Sequence, residues 1–202
     1  MSALAFEIQQ GKISVAVDTL ATDELGENRC DVSKALYVPH LDCLFAVTGA
    51  LFMLDRLPDA IMRNMVSRGS EFTLQASDIL QELWIEHIGP AAISLGSVVK
   101  VPSTSVFQFG FSSKSGLPEC FMYHSSDDFQ PRPLEGSAHK PANTIPGDRI
   151  EYPMEFVRVI DGLRNIEEAR RFEDRIHIGG RVILHTLMPK FAAVMTIHDF
   201  GD

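Results

Sequence analysis

The first eighteen residues alternate between large apolar and smaller or polar side chains, and this period of two constrains the fold more than any other feature. Large apolar side chains occupy every second position in 4–8 and again in 13–18, and Gln10-Gly11-Lys12 separates the two runs. A period of two is typical of strands with a buried face, and a short interruption with glycine is typical of a hairpin turn. We therefore expect the chain to open as a β-hairpin.

Strand and helix patterns alternate along the rest of the chain. Further strands are predicted at 35–38, 43–48, 106–111, 119–124, 178–187 and 191–200. Helical spacing of apolar residues predicts helices over 50–66, 78–88 and about 153–175. Asp78 is the expected N-cap of the second helix and Gly89-Pro90 its end, while Pro58 is expected to kink or divide the first. The segment 125–152, rich in Pro, Gly, Ser and Asp, is expected to form long loops.

This order of elements predicts an α+β fold in a single domain over residues 1–202. The length corresponds to about one domain, and the chain shows no repeat, low-complexity tract or linker. Two apolar-faced sheets with helices outside them form a four-layer αββα sandwich, which suits an α+β domain of this size.

Charge and composition exclude several classes of function. The formal net charge is −9, whereas a nucleic-acid-binding surface and a membrane-surface helix both need basic residues. No apolar run approaches the length of about 20 residues of a membrane span, and the N-terminus has no signal-peptide pattern. Three cysteines without metal or redox spacing suit reduced thiols. We therefore expect a cytoplasmic protein that binds neither nucleic acid nor a membrane.

Motifs for bound groups are missing from the sequence as well. The chain has no phosphate-binding loop, dinucleotide fingerprint, His-Glu-x-x-His motif, paired CxxC or G-x-S-x-G elbow. Its seven histidines are scattered, and Asp127-Asp128 is interpreted as a solvated turn rather than a metal site. We expect no metal and no cofactor, and any input of energy must come from another chain.

The residues with catalytic potential lie near the N-terminus. We expect Met1 to be removed because residue 2 is small, which leaves Ser2 with both a hydroxyl and a free α-amine. An α-amine titrates at about 7.7–8.0, so it can accept the hydroxyl proton near neutral pH. Sixteen residues separate Ser2 from Asp18, and sixteen more separate Asp18 from Lys34. Adjacent strands are expected to bring this carboxylate and this ammonium beneath the chain terminus.

This arrangement resembles the opening of the proteasome-type N-terminal-nucleophile (Ntn) hydrolases, with the bacterial HslV or ClpQ type as the nearest match. Family members begin with Thr, followed by a Gly, a strand ending in Ala-x-Asp-x-x-Ala-Thr, a Lys and a Gly-containing turn. The matching positions read Ser2, Gly11, AVDTLAT at 16–22, Lys34 and TGA at 48–50. The similarity is good over 1–66 and weaker over 105–140 and 166–190.

The resemblance implies a function, an assembly and a role for each matching residue. The implied roles are nucleophile for Ser2, supporting pair for Asp18 and Lys34, substrate-backbone binding for Thr22, oxyanion donor for Gly49 and secondary site member for Ser137. The implied activity is peptide-bond hydrolysis of a peptide or unfolded protein inside a homo-oligomeric ring, with a separate ATPase as partner. The predicted helix at 50–66 has more apolar residues than one stripe facing the core requires, with Phe52 and Met53 in excess, and this also favours assembly.

Two alternatives stay open at this point. The first is a catalytically inactive proteasome-like subunit used for assembly or binding, and a retained Met1 favours it because the Ser2 nitrogen is then acylated. The second is an unrelated α+β binding module in which the spacing is coincidental. The mass of the mature N-terminus distinguishes the active subunit from the inactive one.

Overall fold

The computed structural model of the chain describes residues 2–22, 29–95, 103–141 and 154–201. They form two compact units, which we call unit 1 (Met1–Lys34 and Glu135–Asp202) and unit 2 (Ala35–Leu134). The strands are β1 (Leu4–Gln9), β2 (Lys12–Asp18), β3 (Leu20–Thr22), β4 (Arg29–Asp31), β5 (Ala35–Val38), β6 (Cys43–Thr48), β7 (Ser105–Phe111), β8 (Pro118–His124), β9 (Arg132–Pro133), β10 (Ser137–Lys140), β11 (Arg181–Met188) and β12 (Phe191–Asp199). The helices are α1 (Phe52–Arg63), α2 (Gly69–Leu95) and α3 (Met154–Glu168).

Unit 1 contains a five-stranded antiparallel sheet in the order β10-β1-β2-β11-β12. The opening hairpin forms as predicted, with β1 paired to β2 from Leu4 opposite Val17 to Gln9 opposite Lys12. α3 covers one face of the sheet, where Phe156 packs in a buried apolar cluster with residues of β1, β2 and β11. β3 and β4 form a separate two-stranded ribbon directly after β2. The apolar alternation of the hairpin is therefore what places the first residues of the chain beside the end of β2.

Unit 2 contains a second five-stranded antiparallel sheet, in the order β5-β6-β7-β8-β9, with α1 and α2 packed on its apolar face. Phe72 of α2 is fully buried there, with its ring edge-on to Phe45 and to Tyr123 at centroid distances of 4.9 and 6.0 Å. The buried Tyr123 hydroxyl donates to Gln108 Oε1 at 2.6 Å. Met53, expected on the exposed side of α1, is fully buried in this core, so it does not favour assembly.

The second helix is longer than its apolar stripe predicts. α2 begins at Gly69 and continues past Gly89-Pro90 to Leu95, so Asp78 lies in its interior and is not its N-cap. The signal for the earlier start is Ser67, whose backbone N–H and hydroxyl donate to the Glu71 carboxylate at 2.9 and 2.7 Å. Such contacts satisfy backbone donors that a helix start leaves without partners. The first helix also contains Pro58 without ending there.

The segment expected to consist of loops contains β9 and β10, while residues 142–152 lie outside the described part of the chain. β10 has little apolar character, and it joins the sheet because its backbone pairs with Leu4–Glu7 of β1. The third helix ends at Glu168, short of the predicted limit. The expected mixture of sheets and helices is confirmed, whereas the four-layer sandwich and the single domain stay predictions. Among the helices described, none is both long and apolar enough to cross a membrane.

Candidate active site

Asp18 is the centre of a buried polar cluster at the end of β2. Its Oδ1 accepts the Ala3 N–H at 2.9 Å and the Lys34 ammonium at 2.8 Å. Its Oδ2 accepts the Gly179 N–H at 3.3 Å. The side chain is fully buried, and its donors come from three separate parts of unit 1. One carboxylate oxygen therefore joins the ammonium of Lys34 to the amide that follows Ser2.

Strand register explains why Asp18 reaches this position. The pairing of β1 with β2 ends with Leu4 opposite Val17, so Asp18 is the next residue of β2 beyond it. On the other side of β2, Asp18 lies opposite Val182 near the start of β11. The Asp18 N–H donates to the Ala3 carbonyl at 3.4 Å, which holds the two chain segments together. The carboxylate is thus held between the first residues of the chain and the segment that leads into β11.

Lys34 follows the β3–β4 ribbon and is almost fully buried. Besides its contact with Asp18, Nζ donates to the backbone carbonyl of Leu20 at 2.5 Å. Removing an ammonium and a carboxylate from water costs several kcal/mol per ion, and apolar residues of similar volume are often at least as stable in such a place. Stability alone is therefore a weak explanation for this ion pair, and a chemical role is a better one.

The buried environment changes the ionisation of Asp18. Burial raises the pKa of the Asp18 carboxyl above its ordinary value, because a desolvated carboxylate is disfavoured. The positive charge and hydrogen bond of Lys34 oppose this shift, and the amides of Ala3 and Gly179 oppose it further. The ammonium is thus the principal group that opposes the upward shift in the pKa of Asp18.

Ser2 lies next to the cluster and is buried, with 7% of its surface exposed. The peptide bond after Ser2 ends at the Ala3 nitrogen that donates to Asp18. Because both the N–H and the carbonyl of Ala3 are bonded to Asp18, the backbone next to Ser2 has a fixed position. The structure therefore brings Ser2, Asp18 and Lys34 together in unit 1.

A network around Thr19 supports the turn that supplies Gly179. The Thr19 hydroxyl donates to Asp31 Oδ1 at 2.7 Å and accepts the Arg181 N–H at 2.8 Å. Gly180 has a φ of +66°, and a Cβ at this position would lie 2.5 Å from Thr19 Oγ1, so the turn requires glycine. The sequence analysis missed Gly179 and Thr19 as site residues. The signal for Gly179 was the Gly-Gly pair that precedes the apolar strand, and Thr19 lies within the AVDTLAT segment that carries the resemblance.

Of the two other predicted site residues in unit 1, Thr22 lies on the strand that begins at the cluster, whereas Ser137 lies farther away along the sheet. Thr22 is the half-buried last residue of β3, and β3 begins with the residue whose carbonyl binds Lys34. Ser137 is exposed and lies opposite Glu7, toward the end of β1 that is away from Ser2. The structure therefore does not bring Ser137 to the Asp18–Lys34 pair.

Gly49 follows β6 in unit 2 and has a φ of +106°, which side chains other than glycine rarely tolerate. A Cβ there would lie 2.5 Å from the Ser103 carbonyl oxygen and 2.7 Å from Thr104 Oγ1. The next amide, of Ala50, donates to Thr104 Oγ1 at 2.9 Å. Gly49 thus lies in a turn that requires glycine, and its role as oxyanion donor stays a prediction.

A small cavity of about 60 Å³ in unit 1 adjoins the cluster. Leu20 and Ile178 line it together with Arg164 and Arg175. Ligand pockets for cofactors usually measure about 300–1,000 Å³, so this space suits a small polar group rather than a cofactor. Within the described ranges, no group of three or more His, Cys, Asp or Glu side chains is placed to hold a metal ion.

No protein-family model and no curated protein matches the chain. Its fold, however, is similar to that of solved Anbu structures. Anbu (ancestral beta-subunit) from Yersinia bercovieri has 11% sequence identity and a TM-score of 0.61, over 98% of this chain and 88% of that chain. The helical assembly of the Anbu complex from Pseudomonas aeruginosa has 12% identity and a TM-score of 0.63, over the same shares of the two chains.

The prediction that the chain is of the HslV or ClpQ type is wrong. Solved structures that share its fold include Anbu proteins, and the described residues hold no feature specific to HslV or ClpQ. At 11–12% identity the likeness shows the fold alone. The chain therefore has the proteasome-like fold of these Anbu subunits.

Proposed function

We propose that the chain is a proteasome-like peptide-bond hydrolase whose nucleophile is Ser2, exposed by removal of Met1. One observation carries the proposal: the same oxygen of Asp18 accepts the Lys34 ammonium and the N–H of Ala3. A cation and the residue next to the nucleophile are thus held on one atom. The fold also supports the proposal. The Anbu (ancestral beta-subunit) structures that share it are proteasome-like, as are the Ntn hydrolases that the sequence resembles.

In the proposed reaction the Ser2 hydroxyl attacks the substrate carbonyl, and its proton passes to the Ser2 α-amine. The amine then gives this proton to the leaving nitrogen as the C–N bond breaks. Water adds to the resulting ester of Ser2 while the amine accepts a proton from it. The amine then returns this proton to the serine oxygen as the C–O bond breaks, which releases the acid and restores the hydroxyl. Substrate, water and products balance without a cofactor.

Lys34 tunes this chemistry in the proposal. An ammonium has three N–H donors, and Asp18 and Leu20 accept two of them. The third is assigned to the Ser2 hydroxyl. The positive charge favours the neutral form of the nearby α-amine and stabilises negative charge that develops on the serine oxygen.

The proposal assigns the other roles from the resemblance. Thr22 pairs with the backbone of a peptide or unfolded protein substrate, and the Gly49 amide is the oxyanion donor. Ser137 is left out because it lies away from Ser2 along the sheet. Self-assembly is included because a protein of the same fold forms a helical assembly. The ring geometry and the separate ATPase stay predictions from the sequence.

The test is intact-mass analysis of protein with a C-terminal tag, with and without a peptide epoxyketone. This electrophile reacts with the hydroxyl and the free α-amine of an N-terminal nucleophile together. We expect a mass that lacks Met1 and one adduct, which peptide mapping locates at Ser2. Ser2→Thr should keep the adduct, because it retains the hydroxyl, and Ser2→Ala should lose it.

A matched control is the same chain with an N-terminal extension, in which the Ser2 nitrogen stays acylated. It should fold like the parent protein and give no adduct. Equal labelling of the parent and Ser2→Ala would show that Ser2 is not the nucleophile. A folded protein that keeps Met1, or that loses Met1 without reacting, would favour the inactive proteasome-like subunit.

A further inference from the structure

β12 is the edge strand of the unit 1 sheet, paired only with β11 in the part of the chain that the structure describes. It contains nine residues, which corresponds to an edge of about 30 Å. An edge strand presents a row of backbone N–H and C=O groups to which another strand can add. Such an edge is a natural place for a contact with another chain.

The side chains of β12 make this edge unusual. Phe191, Val194 and Met195 are 52%, 65% and 50% exposed, and no charged residue occurs between Phe191 and Ile197. Because consecutive residues of a strand point to opposite faces, Val194 and Met195 present apolar surface on both faces of the edge. Proteins usually protect an edge of this length with charges, proline or a cover. The register shift opposite Val182 and Ile183 affects only the last part of the strand.

The charges at the two ends of β12 indicate which molecule can pair with this edge. Lys190 precedes the strand and Asp199 ends it, so the edge has a positive end and a negative end with an apolar centre. A second copy that pairs antiparallel brings each Lys190 toward the Asp199 of the other chain. A second copy that pairs parallel places like charges side by side. The edge is therefore complementary to itself about a two-fold axis, as an isologous dimer contact must be.

We propose that β12 is a dimer interface, in which the β12 strands of two copies pair antiparallel around Val194 and Met195 and join their unit 1 sheets. The interface does not involve Ser2, so it stands or falls separately from the proposed hydrolase. Strand pairing supplies backbone hydrogen bonds, and the apolar side chains pack on their counterparts across the axis.

Sedimentation velocity over a range of about 1 to 200 µM tests the interface, because small interfaces dissociate within such a range. We expect the sedimentation coefficient of the wild type to increase with concentration as copies join through β12. Met195→Lys should weaken dimerisation at least about tenfold, because it places two ammonium groups near the axis. Leu74→Lys is the matched control: Leu74 is 86% exposed on α2, where the backbone is already bonded within the helix, so this variant should dimerise like the wild type.

Charge reversal tests the orientation of the pairing. Lys190→Glu and Asp199→Lys each place like charges at both ends of the antiparallel pair and should weaken the dimer. The double variant restores opposite charges and should regain most of the lost affinity. If the single variants and the double variant weaken it equally, the antiparallel arrangement is wrong.

Disulfide trapping locates the axis. In a Cys30→Ser background, which removes the one exposed native thiol, Val194→Cys or Met195→Cys should form a disulfide-linked dimer on mild oxidation. Leu74→Cys should not. A wild type that stays monomeric throughout, or a dimer that Met195→Lys leaves intact and neither cysteine traps, overturns the proposal.

Discussion

Replacing Lys34 with methionine keeps the length of the side chain but removes the ammonium from a fully buried carboxylate. Asp18 then keeps only the amides of Ala3 and Gly179 as donors, at 2.9 and 3.3 Å. Breaking a buried ion pair by removing one partner typically costs about 3–5 kcal/mol. We expect Lys34→Met to lose this amount of unfolding free energy near pH 7.5.

The loss should shrink on acidification, and its sign follows from Asp18. Without Lys34, burial raises the pKa of the Asp18 carboxyl with only the two amides to oppose it. The folded variant then binds a proton that the unfolded chain, with a carboxyl pKa near 3.9, binds only at lower pH. The stability deficit of the variant relative to wild type should therefore shrink as the pH falls from 7.5 to 5, by at most about 1.4 kcal/mol per pH unit.

Urea unfolding at both pH values measures the effect, with far-UV circular dichroism and the fluorescence of Trp84, the only tryptophan, as probes. Coincident transitions of the two probes establish that one free energy describes the unfolding. The control is Asp18→Asn/Lys34→Met, which removes both charges and should come back to within about 2 kcal/mol of wild type. A Lys34→Met protein as stable as wild type near pH 7.5, or one whose deficit does not change with pH, would refute the reasoning.

Three further predictions concern other residues. Burial lowers the pKa of His185 to about 4, so on acidification the unfolded state binds a proton before the folded state does. The wild type should therefore lose about 2 kcal/mol of unfolding free energy between pH 6.5 and pH 5. His185→Leu should not show this loss, and urea unfolding measures both proteins. Gly49→Ala should lose at least about 1 kcal/mol more than Gly116→Ala in thermal unfolding, because both positions have positive φ but only Gly49 lacks room for a Cβ. Cys30 is exposed, whereas burial raises the pKa of the other two thiols to about 12 and about 11, so one thiol per native chain should react quickly with an aromatic disulfide reagent and denaturation should release the other two. The first expectation fails if wild type and His185→Leu show the same pH dependence of stability. The second fails if Gly49→Ala and Gly116→Ala lose equal stability, and the third if all three thiols of the native chain react quickly.

Local patterns were enough to predict the parts of the fold that depend on neighbours in sequence. The opening hairpin follows from a period of two over a few residues, and the structure has this hairpin, with Lys12 in β2 opposite Gln9 rather than in the turn. Asp18 ends β2 and Lys34 follows the β3–β4 ribbon sixteen residues later, and the structure places the Lys34 ammonium 2.8 Å from Asp18. Such features are visible because turn chemistry and strand alternation act over short stretches of chain.

Features that depend on distant parts of the chain were not predictable in the same way. The Gly179 amide meets Asp18 across 161 positions, and nothing in the local pattern around either residue indicates the contact. β10 becomes a strand because the backbone of β1 is available beside it, since its own side chains carry no apolar alternation. The start of α2 depends on the contact between Ser67 and Glu71. In the sequence this pair is a weaker indication of a helix than the apolar stripe that begins later.

The double variant Asp18→Asn/Lys34→Met also separates the two explanations for the buried charges. If the charges serve only to hold the fold, a double variant of near-normal stability should react with a peptide epoxyketone at the wild-type rate. If they tune the α-amine and the hydroxyl of Ser2, the folded double variant should lose Met1 normally but react at least about a hundredfold more slowly, since general-base assistance is worth about a factor of 100 to 10,000. Because apolar or neutral residues of similar volume often stabilise a buried site as well as an ion pair does, the slower reaction is the outcome that we expect.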